Sequence, residues 1–184
     1  MRLLMIMPDA HMHKLHFGPR VRSMREAPLT LTTLAALTPD ADIELKLIDE
    51  SVDQVPLDYP ADLVAISVIT GCAPRAYALA DHFRGRGIPV VLGGVHVSIL
   101  PGEAKQHAEA VVIGMAERSW SRLLADFRHG SLAPVYHDPY PNDGWLTNVP
   151  LPRRDLQRHS GYMASNTVQA TRGCMRVCDF CSVP

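Results

Sequence analysis

Apolar residues fall in short blocks that alternate with stretches of helical spacing from the first residue onward. Leu3 to Met7, Ile43 to Ile48, Leu63 to Val68, Ile88 to Leu92 and Ala110 to Ile113 each have strand length, and several are rich in Val and Ile. Between them, Leu29 to Leu37, Arg75 to Arg84, Glu103 to His107 and Arg118 to Arg128 carry helix-like spacing. Pro28, Pro74 and Pro101 suit helix starts. Because the strand blocks are apolar at consecutive positions, both of their faces must be covered. That predicts a parallel sheet with helices on each side. The expected fold is therefore α/β, a flavodoxin-like or Rossmann-like doubly wound parallel sheet of five strands in the order 2-1-3-4-5. Trp120, Leu123, Leu124 and Phe127 form a helical stripe and belong to its core, as do Tyr77, Leu79 and Ala80.

After Gly130 the pattern lapses, and Pro134, Pro139, Pro141, Pro150 and Pro152 interrupt a span without sustained periodicity. Residues 1–138 are read as one domain and 139–165 as an irregular linker. Residues 166–184, with a strand-like run from Thr167 to Ala170, are read as the start of a second, truncated unit. The composition fits an ordinary globular protein, with 47% hydrophobic and 20% charged residues and a formal net charge of -1. Scattered Lys and Arg leave no basic footprint for nucleic acid. No apolar run reaches the roughly 20 residues that span a bilayer, so neither a transmembrane segment nor a signal peptide is expected. A cytoplasmic location follows as the expectation.

Chemistry concentrates in two places. In open parallel sheets, ligands bind beyond the carboxyl ends of the strands. There the third, fourth and fifth runs are followed by Ser67-Val68-Ile69-Thr70-Gly71, Gly93-Gly94-Val95-His96 and Gly114-Met115-Ala116-Glu117. Glycine lets backbone approach a ligand, and Ser and Thr hydroxyls bond its polar groups. Taken alone, Gly93-Gly94 also suits a tight strand-to-helix turn. The second place is the C-terminal CxxxCxxC of Cys174, Cys178 and Cys181, with Phe180 before the last Cys. Three of four cysteines crowded together suggest a metal site in a reducing compartment. A structural zinc site needs four ligands, which here only Cys72 or a histidine such as His159 could complete. By itself Cys72 reads as a buried structural thiol.

The CxxxCxxC with its aromatic neighbour resembles the radical S-adenosylmethionine superfamily. The Ser-x-aliphatic triplet at Ser67, Gly93-Gly94, His96, Pro101, Glu103 and Gly114 is similar to the N-terminal domain of cobalamin-dependent members of that superfamily. Pro152 to Leu156 and Val168 to Gly173 also look like that family's linker and cluster entry. The resemblance implies a 4Fe-4S cluster on Cys174, Cys178 and Cys181, with one iron open to S-adenosylmethionine and Phe180 near its adenine. It implies cobalamin contacts from Ser67, Ile69, Thr70, Gly71, Gly93, Gly94, His96, Gly114, Met115 and Glu117. The implied activity is radical methyl transfer to an unactivated carbon of a small molecule, with a flavodoxin or ferredoxin as electron donor. No catalytic residue is expected in this stretch, and the chain by itself is expected to be inert. Asp9-Ala10-His11-Met12-His13-Lys14 departs from the DxHxxG part of the cobalamin signature, so His11 is read as a loop residue and the lower face of cobalt as lacking a protein imidazole. Two other functions fit parts of the pattern: a cobalamin-carrying module without radical chemistry, and a flavodoxin-like FMN domain with a zinc knuckle.

Overall fold

The computed structural model describes residues 1–10, 14–17, 20–39, 42–137, 149–158, 160–164, 166–170, 173–174, 176, 178–179 and 181, with backbone alone for 14–17 and 20–25. In chain order the strands are β1 (Arg2–Met7), β2 (Lys14–Phe17), β3 (Arg20–Glu26), β4 (Glu44–Asp49), β5 (Leu63–Ser67), β6 (Val90–Gly93), β7 (Ala110–Ile113), β8 (Val135–His137) and β9 (Tyr162–Ala164). The helices are α1 (Thr30–Leu37), α2 (Ala73–Gly85), α3 (Val95–Ile99), α4 (Pro101–Ala104) and α5 (Ser119–Arg128).

Six strands form a parallel sheet in the order β4-β1-β5-β6-β7-β8. The five expected strands thus take the expected order, and β8 extends the sheet by one. This strand is only three residues long and is anchored by Tyr136, whose buried hydroxyl donates to Asp126 Oδ2 at 2.8 Å and accepts the Ala133 N–H at 3.0 Å. The predicted helix from Glu103 to His107 is instead the single turn of α4 followed by a 3₁₀ turn over Lys105–His107.

Alternation along each strand sorts the apolar residues onto two faces. Leu4 and Ile6 of β1, Val64 and Ile66 of β5, and Val90 and Leu92 of β6 pack with Ala76, Leu79, Ala80 and Phe83 of α2. Leu3 and Met5, Leu63 and Ala65, Val91, Ala110 and Val112 pack on the other side with Leu31 and Ala35 of α1 and Trp120, Leu123 and Leu124 of α5. The expected core stripe of α5 and the core position of α2 are both present. The Trp120 indole N–H donates to Thr38 Oγ1 at 2.9 Å, so the largest buried ring also satisfies its one polar atom.

A second sheet, β2-β3-β9, was not foreseen. Here β2 and β3 form an antiparallel hairpin, and β9 joins β3 in parallel. The strand-like run at Thr167 to Ala170 is not a strand; the strand lies at Tyr162–Ala164. Burial explains the shift: Tyr162 is 8% exposed, with its hydroxyl donating to Asp49 Oδ2 at 3.0 Å, whereas Val168 is 89% exposed. The stretch expected to be an irregular linker is stitched to the first half of the chain. Arg153 N–H donates to Thr32 O at 2.9 Å and Gln157 Nε2 to Pro28 O at 3.0 Å, and just beyond the expected linker Thr167 Oγ1 donates to Ala27 O at 3.0 Å.

Candidate cofactor-binding site

A cavity of about 420 Å³ opens at the carboxyl ends of β1, β5, β6 and β7, on the face covered by α1 and α5. Its floor is Met5, Ala65, Val91 and Val112 from the strands. One wall is Thr30, Leu31, Thr33 and Leu34 of α1, and the opposite wall holds Glu117 and Trp120. The rim is built from strand exits: Ser67 at the end of β5, Gly93 and Gly94 at the end of β6, and Gly114 and Met115 just after β7. Gln169 and Gly173, from the stretch that enters the cysteines, complete the lining. Its size lies within the roughly 300–1,000 Å³ usual for small-molecule pockets. Mostly apolar walls with a few hydroxyls and a glycine rim are the usual lining of a small-molecule pocket.

Six of the residues expected from the sequence therefore share one cavity: Ser67, Gly93, Gly94, Gly114, Met115 and Glu117. Their glycines do different jobs. Gly94 has φ +102°, and a Cβ there would lie 2.6 Å from Val68 O and 2.8 Å from Val68 N, so the turn itself requires glycine. At Gly93 a Cβ would meet Val112 Cβ at 3.5 Å, an ordinary contact. The fold leaves room at Gly93 for a side chain that the cavity would then lose.

Ile69, Thr70, Gly71 and His96 are not part of this cavity. Thr70–Cys72 forms a 3₁₀ turn leading into α2, and Ile69 packs against the core on that side of the sheet. His96, 4% exposed, has Nδ1 3.3 Å from Thr70 Oγ1, and Nε2 3.1 Å from Tyr77 Oη and 3.4 Å from Glu103 Oε1. Tyr77 in turn stacks on His107 with ring centroids 4.3 Å apart, and His107 Nδ1 lies 2.9 Å from both Asp81 carboxylate oxygens. Burial, reinforced by the Glu103 carboxylate, pushes the Tyr77 hydroxyl up to about 12. His96 is thus the centre of an internal polar network.

Sequence reasoning missed the α1 wall. Thr33 is 5% exposed and lines the cavity with Thr30, so hydroxyls interrupt the leucines of this helix face. That break in the apolar stripe was the available signal. Gln169 and Gly173 stood in the stretch that resembles a cluster entry, but their place at the cavity was not readable, because it depends on how residues 149–170 return to the sheet.

Cys174 and Cys178 are exposed, Cys181 is half-buried, and all three are free thiols. Among the described residues, no group of three or more His, Cys, Asp or Glu side chains converges as a metal site. The Arg176 N–H points to Cys174 Sγ at 3.4 Å, and the Cys181 N–H donates to Cys178 O at 3.0 Å. Three thiols closely spaced in a turned segment are a donor set suited to soft metal centres, including iron–sulfur clusters. Cys72, the proposed fourth zinc ligand, is buried in the core, where its Sγ–H donates to Ile69 O at 3.3 Å. His11, His13, His159 and Phe180 lie outside the described residues.

No protein-family profile matches the chain. It is similar to two curated proteins of Chlorobaculum tepidum. One is bacteriochlorophyllide d C-8(2)-methyltransferase, at 36% identity over 85% of this chain and 36% of that protein. The other is bacteriochlorophyllide d C-12(1)-methyltransferase, at 31% identity over 85% of this chain and 35% of that protein. It is also similar to an uncharacterized methyltransferase of Synechocystis sp., at 26% identity over 85% of this chain and 29% of that protein. The chain spans about a third of the length of these relatives. Among the described residues no helix is long and apolar enough to cross a membrane.

Proposed function

We propose that the chain is the front portion of a cobalamin-dependent radical S-adenosylmethionine methyltransferase, acting on an unactivated carbon of a small molecule. On this reading residues 1–138 bind cobalamin, the cavity takes its nucleotide tail, and Cys174, Cys178 and Cys181 hold a 4Fe-4S cluster. The observation that carries the reading is the cavity, because the glycine and serine exits of β5, β6 and β7 meet there with Gly173, the residue before Cys174. The relatives' names supply methyl transfer as the outcome.

When bound, cobalamin supplies methyl-transfer chemistry at cobalt and the cluster supplies reductive cleavage of S-adenosylmethionine. The chain's own residues bind and orient. Met5, Ala65, Val91 and Trp120 give the tail's aromatic base a dry bed, from which water is excluded. Ser67, Thr30 and Thr33 offer hydroxyls to its polar edge, and Gly93 leaves the space that a side chain would fill.

The reading is tested by mixing the chain with hydroxocobalamin, removing free ligand and recording the visible spectrum, beside a parallel sample with FMN. Corrin bands are expected in the parent. The Ala65→Val variant, which puts two methyl groups on the cavity floor, is expected to bind about tenfold more weakly while its urea stability changes by less than about 1 kcal/mol. Flavin bands in place of corrin bands would overturn the cobalamin assignment. Anaerobic iron and sulfide uptake lost in Cys174→Ser is the expectation for the cysteines; one tightly held zinc without iron would overturn the cluster.

A further inference from the structure

The glycine rim of the cavity is held by a residue that does not itself line it. The hydrogen-bonded register between β6 and β7 runs through Val91↔Ala110 and Leu92↔Val111 and stops there. Beyond that point Gly93 still pairs with Ser67 of β5 and Ile113 with His137 of β8, so the turns at Gly94 and Gly114 are tied to opposite sides of the sheet. Gly94 and Gly114 have φ of +102° and +78°, and neither has a side chain to pack against its neighbour. The β6–β7 register does not reach the two glycine turns, so another link must set their separation.

That link is Ser98 on α3. Its hydroxyl donates to Gly94 O at 3.0 Å and accepts the Gly114 N–H at 2.8 Å. The Ser98 backbone N–H also donates to Gly94 O at 3.0 Å, so the Gly94 carbonyl is turned into α3. One hydroxyl therefore bridges the exits of two neighbouring strands, using its donor for one and a lone pair for the other. The start of α3 is fixed from the opposite direction, since the His96 N–H donates to Val68 O at 3.1 Å. The bridge thus connects a rigid helix start to the rim.

We infer that Ser98 is the positioning residue that sets the opening between Gly94 and Gly114 through which the cavity receives its ligand. The inference rests on the reading that the cavity takes the nucleotide tail of cobalamin. Without the hydroxyl, the partly buried Gly114 N–H loses its partner, and a lost partner costs more than the net value of the bond. The peptide then turns toward any other acceptor, and the width of the rim is no longer fixed.

The test compares two ligands on the full chain: hydroxocobalamin, and cobinamide, which has the same corrin without the nucleotide tail. Both are titrated by visible absorbance against the parent, Ser98→Ala and Ser98→Thr. The parent is expected to bind cobalamin more tightly than cobinamide. Ser98→Ala should weaken cobalamin by about five- to tenfold and leave cobinamide unchanged, and Ser98→Thr, which keeps the hydroxyl, should restore most of the difference. A parent that binds the two ligands alike, or binds neither, overturns the tail reading and the inference with it. A parent that prefers cobalamin, beside a Ser98→Ala that also prefers it by the same ratio, overturns the Ser98 role alone. If the alanine variant does not fold, Ser98→Cys, nearly the same size but a much weaker hydrogen bonder, is read by the same ratio.

Discussion

The two faces of the main sheet are built from alternate residues of the same strands, yet one is filled and the other is hollow. Toward α2 the strands present Leu4, Ile6, Val64, Ile66 and Leu92, and the helix answers with Leu79 and Phe83, leaving a closed apolar layer. Toward α1 and α5 the strands present Met5, Ala65, Val91 and Val112, and at or just past their ends come Gly93, Gly94 and Gly114. Small side chains at Ala65, Val91 and Val112 on the floor and glycines on the rim leave a cavity that the large Trp120 borders rather than fills. The polar groups follow the same division. On the filled side His96, Tyr77, Thr70 and Glu103 are bonded to one another, while on the hollow side hydroxyls face a space sized for a ligand. A face with a cavity differs from a closed one here by side-chain volume at a few strand positions, with no change of strand type.

The largest test of this contrast is on the filled face. Phe83→Ala removes a fully buried ring from a packed layer and should cost about 3–5 kcal/mol of stability, measured by urea unfolding. A loss below about 1 kcal/mol would mean that this face is also loosely packed. Next comes the rim. Gly94→Ala should cost about 1–3 kcal/mol whether or not ligand is present, because its Cβ meets the Val68 backbone. Gly93→Ala should cost less than about 1 kcal/mol and act on ligand affinity instead. Equal stability losses at the two positions would erase the distinction between a glycine required by the turn and one required by the cavity.

The smallest effect is a pH dependence on the filled face. The Tyr77 hydroxyl sits at about 12 in the folded chain against an ordinary value of 10.0, with burial the leading cause. Folding therefore favours its neutral form. Its contribution is fully present below pH 10 and is lost as pH rises from about 10 through 12. In Tyr77→Phe the unfolding midpoint should fall less steeply across that window than in the parent. Parallel slopes would show that the phenol is not held neutral by its surroundings.

What was legible in the sequence follows from local pattern. The five apolar strand runs stood out because both faces of each are covered, and their order came from right-handed crossover logic. The strand at Val135–His137 did not, since three residues next to Pro134 give no period, and its anchor is the Tyr136 hydroxyl on Asp126 rather than an apolar pattern. The β3–β9 pairing joins residues more than a hundred positions apart, which no local window reports. In the site, the glycine and serine exits were readable, but their face of the sheet was not. His96 and Gly94 are two residues apart and serve opposite sides, because the alternation that sorts strand residues ends where the turn begins. The leucines of the α1 wall look the same whether they meet a core or a cavity, and only Thr30 and Thr33 set that face apart.

The stitching of residues 149–170 onto the start of the chain also governs when the cavity is complete. Thr167 meets Ala27 across 140 residues of sequence, Gln157 meets Pro28 across 129 and Tyr162 meets Asp49 across 113. Contacts of such separation raise the contact order and form late in folding. At roughly 5 to 20 residues per second of synthesis, Ala27 leaves the ribosome on the order of ten to thirty seconds before its partner. During that interval α1 has no cover from Arg153 and Gln157, and the side of the cavity that Gln169 and Gly173 will line stands open to small molecules.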